Sequence, residues 1–380
     1  MQKAIDKDPT IIYASDIYDR QSALHFAAAS VKADTRNAIR WLLAKGIPWS
    51  ASDNESHIPE DVARKYGKDE SRKFLREWAV KKEYELFYKL ELGESHPDEG
   101  KPFAVHRLDK DRSARNELFC KSRILFTNPN GAPEDEVALV CDPSGTGIMM
   151  EWERPIMRDT ARLLLEGMPK SGLRILNIGF GIGMIDTYFQ DAQPAEHVII
   201  EGHPTCLGWM RRTGWYDRPG VRILEGRWQD FFPLNNNTEL SRALSPSDRK
   251  SHADNIDIGK FDVVYFDTFE EGYHGHFSFI KHVPRLLRGP NSRFSYFNGH
   301  AEQDETVYNI YAEVARLHHN DLGMNTTWSE VYTNKEDMWK NISERGKGQA
   351  QEHPHLIPIC MLAPTLPRTL VSGVGWNSHS

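Results

Sequence analysis

Basic residues are in deficit. The chain carries 47 Lys and Arg against 54 Asp and Glu, a formal net charge of −7 over 380 residues. That balance speaks against a general nucleic-acid binder, which tends to be basic, and favours encounter with cationic partners. Cysteine is scarce as well: Cys120, Cys141, Cys206 and Cys360 are far apart and form no CxxC pair. Their spacing excludes the usual zinc patterns, and free buried thiols in a reducing compartment are expected. No apolar run reaches the roughly 18 residues of a membrane span. The first residues, Met-Gln-Lys-Ala-Ile-Asp-Lys-Asp, lack a secretory core. These absences lead us to expect an intracellular protein with no membrane contact, no metal and no direct nucleic-acid partner; the cytoplasm is the expected location with the nucleus as the alternative, and the oligomeric state stays open with a monomer favoured. What is present is ordinary globular material, 39% hydrophobic and 27% charged. Its length suggests two units.

Residues 1–92 read as helical. Ala23-Leu-His-Phe-Ala-Ala-Ala29 opens one helix, and Ala38-Ile-Arg-Trp-Leu-Leu-Ala-Lys-Gly46 gives a second with a glycine stop. Ile58-Pro-Glu-Asp-Val-Ala-Arg-Lys-Tyr-Gly67 and Phe74-Leu-Arg-Glu-Trp78 make a similar pair, at a spacing of roughly 33–36 residues that suggests a repeat. Residues 93–114 are polar and turn-rich and are expected to form a linker. Two strands follow, Ser122-Arg-Ile-Leu-Phe-Thr127 and Val137-Ala-Leu-Val-Cys141, around the turn Asn128-Pro-Asn-Gly131.

From residue 173 strands and helices alternate, so 115–380 is expected to be a doubly wound α/β domain with a mostly parallel sheet. Its strands are 173–178, 198–201, 221–224, 261–266 and 293–297. Between them lie helices over 185–189, 205–212, 277–287 and 306–318. The late strands 327–332 and 355–362 have no convincing helix between them and fit a closing antiparallel pair.

The first strand runs into Gly179-Phe-Gly-Ile-Gly183. Such a turn lets backbone approach a ligand and offers the amides of the next helix. Glu201 ends the second strand about twenty residues on, where an acid grips ribose hydroxyls. A dinucleotide fingerprint needs a third glycine, G-x-G-x-x-G. Ile185 occupies the place where that glycine would fall, which favours S-adenosylmethionine over a pyrophosphate-bearing cofactor.

Further segments narrow the reading. Met149-Met-Glu-Trp-Glu-Arg-Pro-Ile-Met157 precedes the first strand, Gly226-Arg-Trp-Gln-Asp230 follows the third, and Tyr265-Phe-Asp-Thr268 ends the fourth. With the Trp-Glu-x-Pro-x-Met and Tyr-x-Asp-Thr motifs, the chain resembles guanidinoacetate methyltransferase. In overall layout it resembles the fungal and plant type IV protein arginine methyltransferases. Ser22-Ala-Leu-His-Phe-Ala27 and Leu42-Leu-Ala-Lys-Gly46 likewise resemble ankyrin repeats.

The resemblance implies a class I methyltransferase domain behind a small ankyrin-like segment. It implies methylation of the δ-nitrogen of a protein arginine, with a ribosomal protein as substrate class and S-adenosylhomocysteine as product. It places Phe180, Gly181, Ile182, Gly183 and Met184 around the methionine part of the cofactor, and Glu201, His203 and Pro204 at the ribose. Trp228 and Gln229 border the adenine, while Met149, Met157 and Asp267 line the cofactor pocket. Trp152, Glu153 and Asn298 contact substrate, and Glu153 and Asp267 are the catalytic pair receiving the guanidinium.

Physical chemistry supports that pair independently. A guanidinium is planar, always charged and best held by carboxylates. Deprotonating it beforehand at neutral pH would cost roughly 9 kcal/mol, so the proton is expected to leave as the new bond forms. The ω-nitrogen enzymes carry two glutamates spaced along one loop and a Thr-His-Trp loop. Here Glu270 and Glu271 are adjacent and Thr326-Thr-Trp328 lacks the histidine, which weakens that alternative. Glu270 and Glu271 are expected to form a solvated acidic rim, and His274 and His276 to be polar residues leading into the helix at Phe277. The rival readings are a small-molecule guanidino methyltransferase and a non-catalytic ankyrin-type interaction protein.

Overall fold

The computed structural model describes residues 3, 6–32, 35–92, 118–127, 138–141, 147–232, 258–269, 271–299, 304–333 and 354–363. The expected linker 93–114, the turn at 128–131 and Glu270 lie outside them.

The helical part contains α1 (Ala23–Ala29), α2 (Thr35–Ala44), α3 (Pro59–Lys65) and α4 (Asp69–Glu91). His25 ties the two helix pairs together. Its Nδ1 accepts from the Ser22 amide at 3.0 Å, so its Nε2 must be the protonated nitrogen that donates to the His57 carbonyl at 3.0 Å.

A small antiparallel sheet of β1 (Ile124–Thr127), β2 (Ala138–Cys141) and β3 (Gly147–Met149) follows. Then come α5 (Arg154–Leu165), β4 (Arg174–Ile178), α6 (Met184–Asp191), β5 (Glu196–Glu201), α7 (Pro204–Arg212), β6 (Val221–Glu225) and α8 (Trp228–Phe231). The rest is β7 (Val263–Phe266), α9 (Gly272–Ile280), α10 (Val283–Leu286), β8 (Arg293–Tyr296), α11 (Glu305–Asp321), β9 (Met324–Val331) and β10 (His355–Leu362).

The main sheet has the order β6-β5-β4-β7-β8-β10-β9. Its first five strands are parallel, and β10 runs antiparallel to both β8 and β9. This is the class I methyltransferase arrangement with its closing hairpin. Strand order reverses at β4, the place where open α/β sheets bind ligands beyond the carboxyl ends of their strands. Alternate residues feed two separate cores, as a period of two requires. Leu176, Ile178, Val198, Ile200, Val264 and Phe266 join one; Ile175, Val263 and Tyr265 join the other.

Two expectations need correction. The helix anticipated over 277–287 is broken after Ile280 into α9 and α10, with Pro284 in the first turn of the second piece. Proline lacks the N–H that continuity needs. His276 lies inside α9, buried, with its Nε2 3.2 Å from that of His319, while His274 is exposed.

The N-terminal helices share the first core with the sheet: Leu24, Ile39, Leu42, Leu75 and Phe87 belong to the same cluster as Val307 and Tyr311. Phe87 packs 4.6 Å from Tyr273, ring to ring. Buried Glu83 accepts from Trp49 Nε1 at 2.9 Å and from the Tyr311 hydroxyl at 3.0 Å. Glu83→Ala strands both donors and opens a cavity. It should cost about 2–4 kcal/mol of stability, read as a lower denaturant midpoint; a change under about 0.5 kcal/mol would remove Glu83 from the joint.

Candidate active site

The glycine turn between β4 and α6 is shaped by what it must approach. Gly179 has φ +87°, and a Cβ built there would lie 1.8 Å from the Asp267 carbonyl oxygen. The turn is therefore pressed against the end of β7, and the Asp267 amide donates to the Ile178 carbonyl at 2.8 Å. A Cβ on Gly181 would meet the Met149 side chain at 2.7 Å, so β3 delivers Met149 onto the turn. Gly183 caps α6, Met184 opens it, and Ile182 packs with the second core.

Phe180 presents backbone rather than ring: its side chain is buried against Trp215, centroids 5.0 Å apart. The phenyl group is thus a core member, and only its main chain takes part in the turn.

Glu201 reaches across from β5. One oxygen accepts from the Phe180 amide at 2.9 Å and the Gly181 amide at 3.3 Å, and the other from the His203 amide at 2.6 Å. Burial raises this carboxyl above its ordinary value, opposed by those amides. The acid expected to hold ribose also fastens the glycine turn, and a carboxylate has lone pairs for both tasks. His203 caps α7, accepting from the Thr205 amide at 3.1 Å, with Pro204 exposed at the first helical position. Phe119 sits between His203 and Phe269, 5.0 and 4.9 Å away, so residues 118–120 cross from the β5 end toward the β7 end.

Beneath the turn lies a polar network that the sequence reading missed. Asn177 Nδ2 donates to Asp186 at 2.8 and 2.9 Å, and Asp186 lies 3.1 Å from His197 Nε2, all fully buried. Its signal was an asparagine inside an otherwise apolar strand.

Asp267 follows β7 at once. Part of its side chain reaches the surface, but no described residue hydrogen-bonds to its carboxylate. Surrounding protein, with a smaller contribution from the Asp186 carboxylate, pushes it up to about 7. Glu153 is buried just before α5, and one of its oxygens accepts from the Met150 amide at 2.9 Å, which fixes its direction. Both carboxylates raise the proton affinity of the buried Tyr265 hydroxyl, behind burial itself, so they share one neighbourhood. Tyr265 in turn donates to Met157 Sδ at 3.4 Å. Met157 is wholly buried and Trp152 half-buried in the same core. Asn298, just past β8, is buried with its amide nitrogen unpartnered among the described residues.

Glu271 overturns the expectation of a solvated rim. It is only 5% exposed. One oxygen accepts from Trp228 Nε1 at 2.7 Å and the Thr268 hydroxyl at 3.2 Å, and the other from Gln229 Nε2 at 2.8 Å. Donors 43 and 42 positions earlier decide its burial, which its neighbours in sequence do not betray. Trp228 itself is a wall, its ring set edge-on to Phe266 and Phe279. Among the described residues no group of three or more His, Cys, Asp or Glu could hold a metal ion.

The turn, the acid on β5 and the two carboxylates stand at the carboxyl ends of neighbouring parallel strands, where open α/β sheets bind ligands. The chain as a whole is similar to known proteins. Residues 132–343 match the family described as guanidinoacetate N-methyltransferase. Protein arginine N-methyltransferase 2 of Cryptococcus neoformans var. neoformans is 30% identical over 338 residues, 85% of this chain and 82% of that protein. The protein of the same name from Aspergillus oryzae is 30% identical over 361 residues, 87% and 79% respectively. That from Eremothecium gossypii is 36% identical over 207 residues, 54% of this chain and 45% of that protein. The chain therefore belongs to the guanidinoacetate N-methyltransferase family, among its protein arginine N-methyltransferase 2 members.

Proposed function

We propose that this S-adenosylmethionine-dependent arginine methyltransferase acts on the δ-nitrogen of an arginine within a protein, a ribosomal protein being the substrate class its resemblance implies. The observation that carries the reading is Asp267. A half-buried carboxylate without a hydrogen-bond partner among the described residues, raised to about 7, is completed by a permanent cation, and a guanidinium is one.

S-adenosylmethionine, when bound, supplies an electrophilic methyl on a sulfonium. Glu153 and Asp267 hold the guanidinium plane and turn one nitrogen toward that methyl. Such positioning is worth several kcal/mol. The donor would give up its methyl to that nitrogen and leave as a neutral thioether. An Asp267 carboxylate oxygen, or water, takes the nitrogen's proton, which balances the charge.

The test is to incubate the protein with labelled donor, candidate proteins and guanidinoacetate, then fragment the methylated arginine by mass spectrometry. Methyl on a terminal nitrogen would sink the δ assignment, and labelling of guanidinoacetate alone would favour the small-molecule reading. Glu153→Gln is expected to cut turnover about 100-fold or more while donor affinity changes less than about threefold. Full turnover would remove Glu153 from the mechanism.

A further inference from the structure

Gln229 poses a question of orientation. A glutamine amide has a donor end and an acceptor end, and which end faces a ligand depends on what holds the other. Here Nε2 donates to Glu271 at 2.8 Å, while Oε1 is buried with no hydrogen-bond partner among the described residues. A buried carbonyl oxygen without a donor is costly unless a ligand supplies one.

Glu271 is built to impose that choice. As a carboxylate it can only accept, so the amide must present nitrogen to it. Trp228 Nε1 and Thr268 Oγ1 hold its other oxygen, which fixes the carboxylate's own angle. It stands at the start of α9 yet makes no side-chain cap bond to that helix. Gly275 leaves it room: a Cβ there would meet the Glu271 side chain, 2.6 Å from Oε2. Among the described residues no Lys or Arg comes within ion-pair distance of it; burial raises its proton affinity, opposed by its three hydrogen bonds and by the more distant Arg227. Burying such a group costs stability, which points to a role outside folding.

We propose that Glu271 is a positioning residue for donor recognition: it locks the Gln229 amide so that the carbonyl oxygen, not the NH2, meets the base of the bound nucleoside. The site thereby demands a hydrogen-bond donor on that base edge. The amino group of adenine supplies one, and the 6-oxo group of hypoxanthine does not. This inference rests on the reading that Trp228 and Gln229 border the adenine.

The test measures affinity for S-adenosylhomocysteine and for its deaminated counterpart, S-inosylhomocysteine, by calorimetry on the full chain. Wild type is expected to prefer the adenine compound by about 30-fold or more, the combined effect of losing one hydrogen bond and facing two acceptors together. Glu271→Gln frees the amide to turn over, and the ratio should fall to about threefold. A merely structural role would weaken both ligands equally and leave the ratio unchanged, which overturns the proposal. Gln229→Met asks the same question without touching the carboxylate, so it decides the matter should E271Q fail to fold. A ratio near one supports the proposal there, and a wild-type ratio overturns it. If wild type binds neither compound, the donor reading fails and the proposal falls with it; binding with an unmoved ratio in E271Q sinks the proposal alone.

Discussion

Replacing Asp267 by Asn removes most methyl transfer and, at alkaline pH, makes the folded chain more stable. The two effects have one cause. The carboxyl sits near 7 when folded against an ordinary 3.8. Between those values the folded chain keeps a proton that the unfolded chain has released. Stability from this group is therefore full below about 4 and declines as pH rises through about 7. Asparagine has no proton to lose. The variant should gain about 1–3 kcal/mol over wild type at pH 8, discounted from the full shift because the carboxylate partly reaches solvent, and little at pH 4. Turnover should drop about 100-fold or more. In wild type, kcat/KM should rise with pH through about 7, and that limb should vanish in D267N. Denaturation at the two pH values together with the rate profile checks this. A stability difference that does not change with pH would refute the buried-acid account, and undiminished turnover would remove Asp267 from the chemistry.

Gly179→Ala is the second change with a large expected effect. The added methyl would fall on the Asp267 carbonyl oxygen, which is rigid backbone. Relief requires separating the end of β4 from that of β7, where the Asp267 amide bonds to Ile178, and disturbs the Gly179 amide's bond to Ile200 on β5. The φ of +87° adds strain of about 1–2 kcal/mol. We expect a loss of more than about 3 kcal/mol in stability, or a folded protein whose donor affinity and turnover both fall by about 100-fold. Gly167 is the control: its φ is +71° but nothing lies within 4 Å of its added Cβ. Gly167→Ala should show the backbone strain alone, and equal losses at the two sites would show that the clash does not matter.

The fold was largely legible because its signals are local. Ala23–Ala29 and His355–Leu362 form the elements their sequences announce, and the five parallel strands fall where apolar runs stand between turn residues. Failures came from brevity and distance. Gly147–Met149 is too short to read as a strand, yet it carries Met149 to the glycine turn. Phe277 to Leu287 is apolar on both sides of Pro284, so composition does not mark the break after Ile280. In the site, Glu153, Glu201 and Asp267 stand beside motifs and could be named in advance. Glu271 could not, since three side chains distant or displaced in sequence determine that it is buried. Asn177 carries a legible signal, because burying a polar residue in the middle of a covered strand costs free energy unless a partner is provided.

The continuous core between the N-terminal helices and the sheet has a consequence for how such a chain can change over time. Phe87, Trp49 and Leu75 cover part of what would otherwise be the outer surface of the catalytic domain, against Tyr273, Tyr311 and Val307. A lineage that discarded these helices would have to make that surface polar in the same step or lose solubility. Exchange of the segment with another gene would face the same barrier, since a foreign segment would have to match a ready-made apolar footprint. The shared core thus ties any change in one part to a matching change in the other, whereas the surface loops carry no such constraint.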